Sequence, residues 1–207
     1  MRNILVAILS AALAGAAGCS SGESPPAAPA VPVAPPPAEG GSMPTANRET
    51  VILAGGCFWG MEEILRKIPG VLETEVGYSN GNLPDATYED VCSHTTNHAE
   101  SVKVVFDPAV LPFESLLGWF FRMHDPTTLN RQGNDVGDSY RSAIFFTTEA
   151  QRAAAEKVKA AVDGSGKWKR PLVTVIEKAG IWSRGEEYHQ DYLQKHPGGY
   201  TCHFLRD

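Results

Sequence analysis

A stretch rich in proline and alanine, residues 22–46, limits how much of this chain can enter a globular fold. It is nearly devoid of bulky apolar side chains, so it cannot bury enough surface to offset the entropy lost when a chain becomes ordered. We therefore expect residues 19–46 to form a flexible tether. The folded part is predicted to lie within residues 47–207, which is long enough for one well-buried domain.

The segment before the tether resembles an export signal. Met1-Arg2-Asn3 is weakly cationic, and the apolar run that follows is too short to span a bilayer. Ala16-Ala17-Gly18-Cys19 then resembles a bacterial lipoprotein cleavage site, although alanine replaces the usual leucine at its first position. We expect a lipoprotein-type signal peptide over 1–18, lipidation of Cys19, and an exported protein held at a membrane, facing the periplasm or the cell surface. Ordinary signal cleavage nearby is the alternative.

Composition and charge narrow the class of partner. Hydrophobic residues make up 43% of the chain, which supports a packed core. The formal net charge is -6 and the basic residues form no extended cluster, so there is no electrostatic case for binding nucleic acid. We expect a monomer that binds no nucleic acid.

The pattern of apolar residues, punctuated by glycine and proline, predicts an α+β domain. The order β-α-β-β-α-β with later additions favours a mixed β-sheet flanked by helices, built on a split-βαβ (ferredoxin-like) core. The polar stretch 125–139 shows no periodicity, and unstructured loops of that length are usually functional. Strands are predicted over 50–54, 71–78, 99–106, 141–147 and 171–178, and helices over 58–68, 88–93, 112–124, 148–162 (with Thr148 as its cap) and 186–194.

The hexapeptide Gly55-Gly56-Cys57-Phe58-Trp59-Gly60 falls between a predicted strand and a predicted helix. The two glycines permit a tight turn, and the free N–H groups and positive dipole end of the helix would face Cys57. A helix N-terminus can lower the pKa of a cysteine to roughly 3.5–7.5, which favours the nucleophilic thiolate. A buried packing cysteine beside two aromatic residues is the alternative.

The hexapeptide resembles the signature of the methionine sulfoxide reductase A family, and seven further segments resemble the family's other blocks in the same order. The resemblance covers about residues 49–192. It implies the family's fold and a thiol-dependent reduction of the S-epimer of methionine sulfoxide, free or in proteins, to methionine. The seven segments are Glu73-Thr74-Glu75-Val76-Gly77-Tyr78, Ala86-Thr87-Tyr88-Glu89-Asp90-Val91-Cys92, His98-Ala99-Glu100, His124-Asp125-Pro126-Thr127, Asn130-Arg131-Gln132-Gly133-Asn134-Asp135-Val136-Gly137, Tyr140-Arg141-Ser142, and Glu187-Tyr188-His189-Gln190-Asp191-Tyr192.

The resemblance also implies a role for each candidate site residue. Cys57 would attack the sulfoxide sulfur, and Glu100 would donate a hydrogen bond or proton to its oxygen, which requires a carboxyl kept neutral by burial. The remaining assignments are Tyr88 and Tyr140 as hydrogen-bond donors to the oxygen, Asp135 as a carboxylate that orders the site through a water, and Phe58 and Trp59 as the wall that binds the methyl group.

Turnover requires a second thiol, because attack leaves Cys57 as a sulfenic acid. Cys202 is the best candidate for disulfide formation, since Pro197-Gly198-Gly199 would let its tail swing toward the site. Cys92, expected to be a buried apolar residue, is the alternative resolving thiol. The family implies no bound cofactor or metal, oxidised proteins or peptides as substrates, and a thioredoxin-like donor as the reductant.

Other interpretations stay open on the sequence. Cys92, His94 and His98 bring metal-ligand types together, but one cysteine with two histidines falls short of a closed zinc site. His189 is either a structural hydrogen-bonding residue or a general base. An exported cysteine hydrolase and a non-catalytic surface lipoprotein are the rival classes, and the second predicts ordinary thiol reactivity at Cys57.

Overall fold

The computed structural model describes residues 48–206. The predicted signal peptide 1–18, the lipidation of Cys19 and the tether 19–46 lie outside the described residues. None of the helices in 48–206 is both long enough and apolar enough to span a membrane. The strands are β1 (Glu49–Gly55), β2 (Val71–Ser79), β3 (Ala99–Phe106), β4 (Arg131–Gln132), β5 (Asp135–Val136), β6 (Ser142–Phe146), β7 (Val175–Lys178) and β8 (Trp182–Arg184); the α-helices are α1 (Phe58–Leu65), α2 (Tyr88–Cys92), α3 (Phe113–Met123), α4 (Glu149–Gly164) and α5 (Tyr192–Lys195).

Six strands of the described part form one mixed sheet in the order β7-β6-β1-β3-β2-β8. Neighbouring strands are antiparallel except β6 and β7, which are parallel. Strands β4 and β5 form a separate two-stranded hairpin. The predicted mixed sheet with flanking helices is confirmed.

The helices α1 and α3 pack on one face of this sheet. Side chains of β1 alternate between faces, so Val51 and Leu53 join the main core while Ile52 and Ala54 join a smaller cluster on the other face. Burying a side chain of the size of Val51, Ile52 or Leu53 stabilises the fold by roughly 1.5–3 kcal/mol. The main core fixes α1 against the sheet through Met61 and Leu65, and α3 through Leu116, Leu117 and Phe120.

The predicted helix over 186–194 is wrong, since the structure is helical there only at Tyr192–Lys195. The buried side chain of Gln190 explains the difference. Its Oε1 accepts the N–H of Val76 at 3.0 Å, and its Nε2 donates to the Val76 carbonyl at 2.9 Å. These bonds hold the chain against β2, and the next residue, Asp191, adopts a left-handed backbone with φ 54° that breaks a helix.

Two further elements differ from the prediction. The strand predicted over 171–178 is confined to Val175–Lys178, and the three-residue strand Trp182–Arg184 was not predicted. The polar stretch 125–139 contains the β4–β5 hairpin and the start of the 3-10 helix Asp138–Tyr140. The predicted cap of α4 is confirmed, because the Thr148 side chain accepts the N–H of Gln151 at 3.2 Å.

Candidate active site

Cys57 lies in the turn between β1 and α1. Gly56 has φ of +106°, a conformation that residues with a β-carbon rarely adopt. A β-carbon at Gly56 would also lie 2.5 Å from the side chain of Gln132. The turn places Cys57 at the N-cap position of α1, with only 6% of its surface exposed. The sequence prediction of a cysteine at a strand-to-helix turn is therefore confirmed.

A small cavity of about 120 Å³ opens onto Cys57. The predicted site residues other than Cys202 meet there, although they come from the turn, α1, α2, β3 and the 125–140 segment. Tyr200 was not predicted, and an aromatic residue two positions before Cys202 was the signal that could have found it. The cavity is lined by Cys57, Phe58, Trp59, Tyr88, Glu100, Asp135, Tyr140 and Tyr200.

The environment of Cys57 disfavours the thiolate. Burial raises the pKa of the Cys57 thiol, and the neighbouring Glu100 raises it further. A hydrogen bond from the backbone of Trp59 lowers the pKa, but its effect is the smaller one. The expectation of a thiolate at neutral pH is therefore wrong for the substrate-free site, because the loss of hydration outweighs the helix N-terminus.

Glu100 projects from β3 into the cavity and is only 3% exposed. Its Oε2 accepts the backbone N–H of Phe58 at 3.2 Å. Burial raises the pKa of Glu100 to about 8, although that hydrogen bond opposes the rise; the negative charge of Asp135 adds a smaller increase. As expected, the carboxyl is neutral at pH 7, so it can donate its proton to a bound oxygen.

Three tyrosines complete the polar side of the cavity. The pKa of Tyr88 is raised mainly by a hydrogen bond to Cys92 and, to a smaller extent, by burial. The pKa of Tyr140 is raised mainly by burial and, to a smaller extent, by the charge of Glu100. Both hydroxyls therefore remain protonated at neutral pH and can donate hydrogen bonds. The hydroxyl of Tyr200 donates to Oδ1 of Asp135 at 3.0 Å, which orients that carboxylate.

The aromatic side of the cavity is held from behind. The ring of Trp59 stacks on Tyr192 with a centroid distance of 3.8 Å, and its Nε1–H donates to Nδ1 of His189 at 3.1 Å. Burial lowers the pKa of His189, so the ring is neutral and can accept this bond. His189 thus serves as a hydrogen-bonding partner of the site. Glu186, which sequence reasoning missed, accepts the backbone N–H of Tyr88 at 2.8 Å.

Cys202 lies beside the turn that carries Cys57. Its Sγ donates to Oδ2 of Asp135 at 3.3 Å and lies 3.5 Å from Nδ1 of His203. Burial and the bond to Asp135 raise the pKa of Cys202 to about 12, while a hydrogen bond from the backbone of Cys57 lowers it. The tail was expected to swing toward the site, but in the reduced protein it is already there.

Comparison with known proteins gives the family. A model of the family described as peptide methionine sulfoxide reductase matches residues 49–206. A relative from Pseudomonas fluorescens described as peptide methionine sulfoxide reductase MsrA is 54% identical over 162 residues, which are 78% of this chain and 76% of the relative. The chain belongs to the peptide methionine sulfoxide reductase A family.

Solved structures of the family agree. Reduced Mxr1 from Saccharomyces cerevisiae is 39% identical, with a TM-score of 0.75 over 80% of this chain and 96% of that one. Mxr1 in a complex with Trx2 is 27% identical, with a TM-score of 0.55 over 80% of this chain and 95% of that one. Family membership thus argues against the hydrolase and the non-catalytic lipoprotein.

Cys92 departs from its prediction, because this last residue of α2 is exposed rather than buried. The two histidines weighed with it as metal-ligand types have other partners: His94 Nδ1 lies 2.9 Å from Asp138 Oδ1, and His98 Nε2 lies 2.7 Å from the carbonyl of Leu83. Within residues 48–206, no group of three or more His, Cys, Asp and Glu side chains could hold a metal ion.

Proposed function

We propose that this member of the family reduces the S-epimer of methionine sulfoxide, free or in proteins, with Cys57 as the nucleophile. The observation that carries the proposal is one small cavity in which a cysteine sulfur faces a protonated carboxyl and two protonated phenols. Thiol-dependent reduction of methionine sulfoxide is the activity of the family, and this cavity contains the groups that the reaction needs.

The first step transfers the oxygen of methionine sulfoxide to the enzyme. Glu100, Tyr88 and Tyr140 donate hydrogen bonds to the sulfoxide oxygen, which draws electrons from its sulfur and opens that sulfur to attack by Cys57. The S–O bond of the substrate breaks and an S–O bond forms at Cys57. Glu100 gives its proton to that oxygen and takes up the thiol proton of Cys57. Cys57 thereby becomes a sulfenic acid, the substrate becomes a thioether, and Glu100 is protonated again.

The second step recycles the enzyme. Cys202 attacks the sulfenic acid, a disulfide between Cys57 and Cys202 forms, and water leaves. A thioredoxin-like dithiol then reduces that disulfide by thiol–disulfide exchange. The position of Cys202 next to Asp135 and the backbone of Cys57 supports this pairing.

The two unlike sides of the cavity would select a single epimer, and the family resemblance implies that it is the S-epimer. Phe58 and Trp59 form an apolar side that suits the S-methyl group, while Glu100 and Tyr140 form a polar side that suits the oxygen. The sulfoxide sulfur is a chiral centre. Only one of its two configurations can place the methyl group on the apolar side, the oxygen on the polar side and the sulfur toward Cys57 at the same time. The enzymes that repair methionine sulfoxide take one epimer each.

We also infer a split-βαβ core and an export route. The core is supported by the strand order β6-β1-β3-β2, in which β3 lies between β1 and β2 while α1 connects them. Export is supported by the sequence pattern of residues 1–18, and a lipid on Cys19 with the tether 19–46 would hold the catalytic domain, residues 47–207, near a membrane as a monomer. Its substrates would then be oxidised exported proteins.

The epimer assignment is tested with a methionine sulfoxide peptide separated into its two epimers, each incubated with the protein and a dithiol. Liquid chromatography measures the thioether formed. We expect reduction of the S-epimer and no enzyme-dependent reduction of the R-epimer. Comparable rates on both epimers would contradict the stereochemical proposal, and no reduction of either would contradict the function.

A further inference from the structure

The C-terminal segment Thr201-Cys202-His203 packs directly on the backbone that carries the nucleophile. His203 is buried, and its Nε2 lies 2.8 Å from the carbonyl of Gly55, two residues before Cys57. A carbonyl oxygen only accepts hydrogen bonds, so Nε2 carries the ring proton and donates it. Burial lowers the pKa of His203 to about 4, so the ring is neutral at physiological pH and its Nδ1 is bare.

The bare nitrogen faces the other thiol. Nδ1 of His203 lies 3.5 Å from Sγ of Cys202, and the backbone N–H of His203 donates to Oγ1 of Thr201 at 3.1 Å. One ring therefore touches the turn of the nucleophile through one nitrogen and the second thiol through the other. The His203 side chain therefore links the position of the Cys202 thiol to the position of the turn that carries Cys57.

Gly60 leaves room for this packing. Gly60 lies within α1 and has no positive φ, so no special backbone conformation requires glycine there. A β-carbon at this position would collide with Oγ1 of Thr201 and would lie 2.7 Å from Nδ1 of His203. The last glycine of the hexapeptide thus admits the segment that carries Cys202.

We propose that His203 is a positioning residue for disulfide formation: it bonds the carbonyl of Gly55, seats the tail against Gly60, and holds Cys202 beside Cys57. The inference rests on the proposed function, in which Cys202 resolves the sulfenic acid. In that step the bond between the two Sγ atoms forms and the S–O bond at Cys57 breaks. The thiol proton of Cys202 goes to the departing oxygen, which leaves as water.

The test separates the two chemical steps. Full-length protein is mixed with one equivalent of S-sulfoxide peptide without reductant, and quenched samples are analysed for methionine released and for the Cys57–Cys202 disulfide. The variants are His203→Ala, which removes both contacts, His203→Gln, whose amide N–H can still reach Gly55, and Gly60→Ala, which displaces the tail. Gly118→Ala in α3 is the matched control, because a β-carbon there meets nothing within 4 Å.

We expect all variants to release methionine within about threefold of the wild-type rate. A misplacement of about 1 Å can slow a reaction about 100-fold, so disulfide formation should slow by roughly 10- to 100-fold in His203→Ala and Gly60→Ala. His203→Gln should recover most of the rate, and Gly118→Ala should match the wild type.

Wild-type disulfide rates in His203→Ala and Gly60→Ala would overturn the inference, and so would a His203→Gln variant as slow as His203→Ala. Loss of methionine release together with disulfide formation would mean a general structural role and would also overturn it. Failure of the proposed function has a different signature, because the wild-type protein itself would then release no methionine or form no Cys57–Cys202 bond.

Discussion

Burial raises the pKa of Cys57 and that of Glu100, so both groups are protonated in the resting site at neutral pH. The Cys57 thiol therefore loses its proton only once the substrate has bound. A sulfoxide oxygen that takes a proton from Glu100 leaves a carboxylate next to the thiol, and that carboxylate can accept the thiol proton as Cys57 attacks. A resting thiol of this kind also resists adventitious oxidation, which follows thiolate character.

Glu100→Gln tests the acid directly. The amide can still accept the N–H of Phe58 but cannot supply a proton, so we expect the single-turnover rate of methionine release to fall by roughly 10²–10⁴-fold. In the wild type that rate should decline as pH rises through about 8, where the Glu100 carboxyl ionises. Glu114→Gln, a change at an exposed glutamate of α3, is the control. A Glu100→Gln rate within about threefold of wild type would assign Glu100 a structural role.

The same residue predicts a pH-dependent stability. Glu100 has a pKa of 4.5 when unfolded and about 8 when folded, so the wild type loses stability as pH rises through this window. Glu100→Gln lacks that loss and should gain roughly 2–3 kcal/mol on the wild type between pH 5 and pH 7, at about 1.4 kcal/mol per pKa unit. Urea unfolding of both proteins at the two pH values measures the difference. A constant difference would show that Glu100 is not held neutral.

Sequence and structure agree on most site residues because each of these residues lies in a motif block that can be matched to the family position by position. Phe58, Trp59, Tyr88, Glu100 and Tyr140 all reach the cavity where the sequence placed them. The protonation state of Cys57 could not be predicted this way, because it depends on how much water the fold excludes. His203 has no local signal in the sequence, because only the packing of the C-terminal tail on the turn brings it to the carbonyl of Gly55.

At the scale of elements, the aromatic wall is held from the segment after β8. His189 accepts the indole N–H of Trp59, while Tyr192 covers one face of the ring. Sequence periodicity predicted a regular helix there, and a regular helix is what the structure lacks. The side chain of Gln190 takes the place of a neighbouring strand along Val76, a contact between residues 114 positions apart that no local pattern reports.

His189→Leu tests this support. The variant leaves the half-buried indole N–H of Trp59 without a partner, so the ring that forms the aromatic wall is less well fixed. If substrate binding must fix the ring again at a cost of about 1–3 kcal/mol, kcat/KM falls by roughly 5- to 100-fold, chiefly through KM. His189→Asn keeps an acceptor near the position of Nδ1 and should recover part of the loss. Steady-state kinetics on a sulfoxide peptide measures both variants. Equal losses in the two would show that volume, and not the hydrogen bond, matters.

At the scale of the whole molecule, the sheet and its helices were predictable because strands and helices bury regular stripes of apolar residues. The short strand Trp182–Arg184 and the hairpin β4–β5 were not, because two or three residues contain too little periodicity. Cys92 was misplaced because cysteine is usually buried, whereas α2 ends at the surface.

The membrane anchor is a prediction about the whole chain. Full-length protein made in a bacterial host should fractionate with membranes, and mass spectrometry should find a lipidated Cys19 as the mature N-terminus. Cys19→Ala should release the protein or block its maturation, because the lipid has no attachment site. An unmodified N-terminus at any other residue would mean ordinary secretion.

The central claim is that Cys57 reduces the sulfoxide and Cys202 resolves the product. Its most direct test is peptide mapping by mass spectrometry after one equivalent of S-sulfoxide peptide and no reductant, with methionine quantified in the same samples. We expect one equivalent of methionine and a Cys57–Cys202 disulfide in the wild type, one equivalent and a trappable sulfenic acid at Cys57 in Cys202→Ser, and neither in Cys57→Ser. Methionine release by Cys57→Ser, or a dominant Cys57–Cys92 linkage in the wild type, would contradict the account.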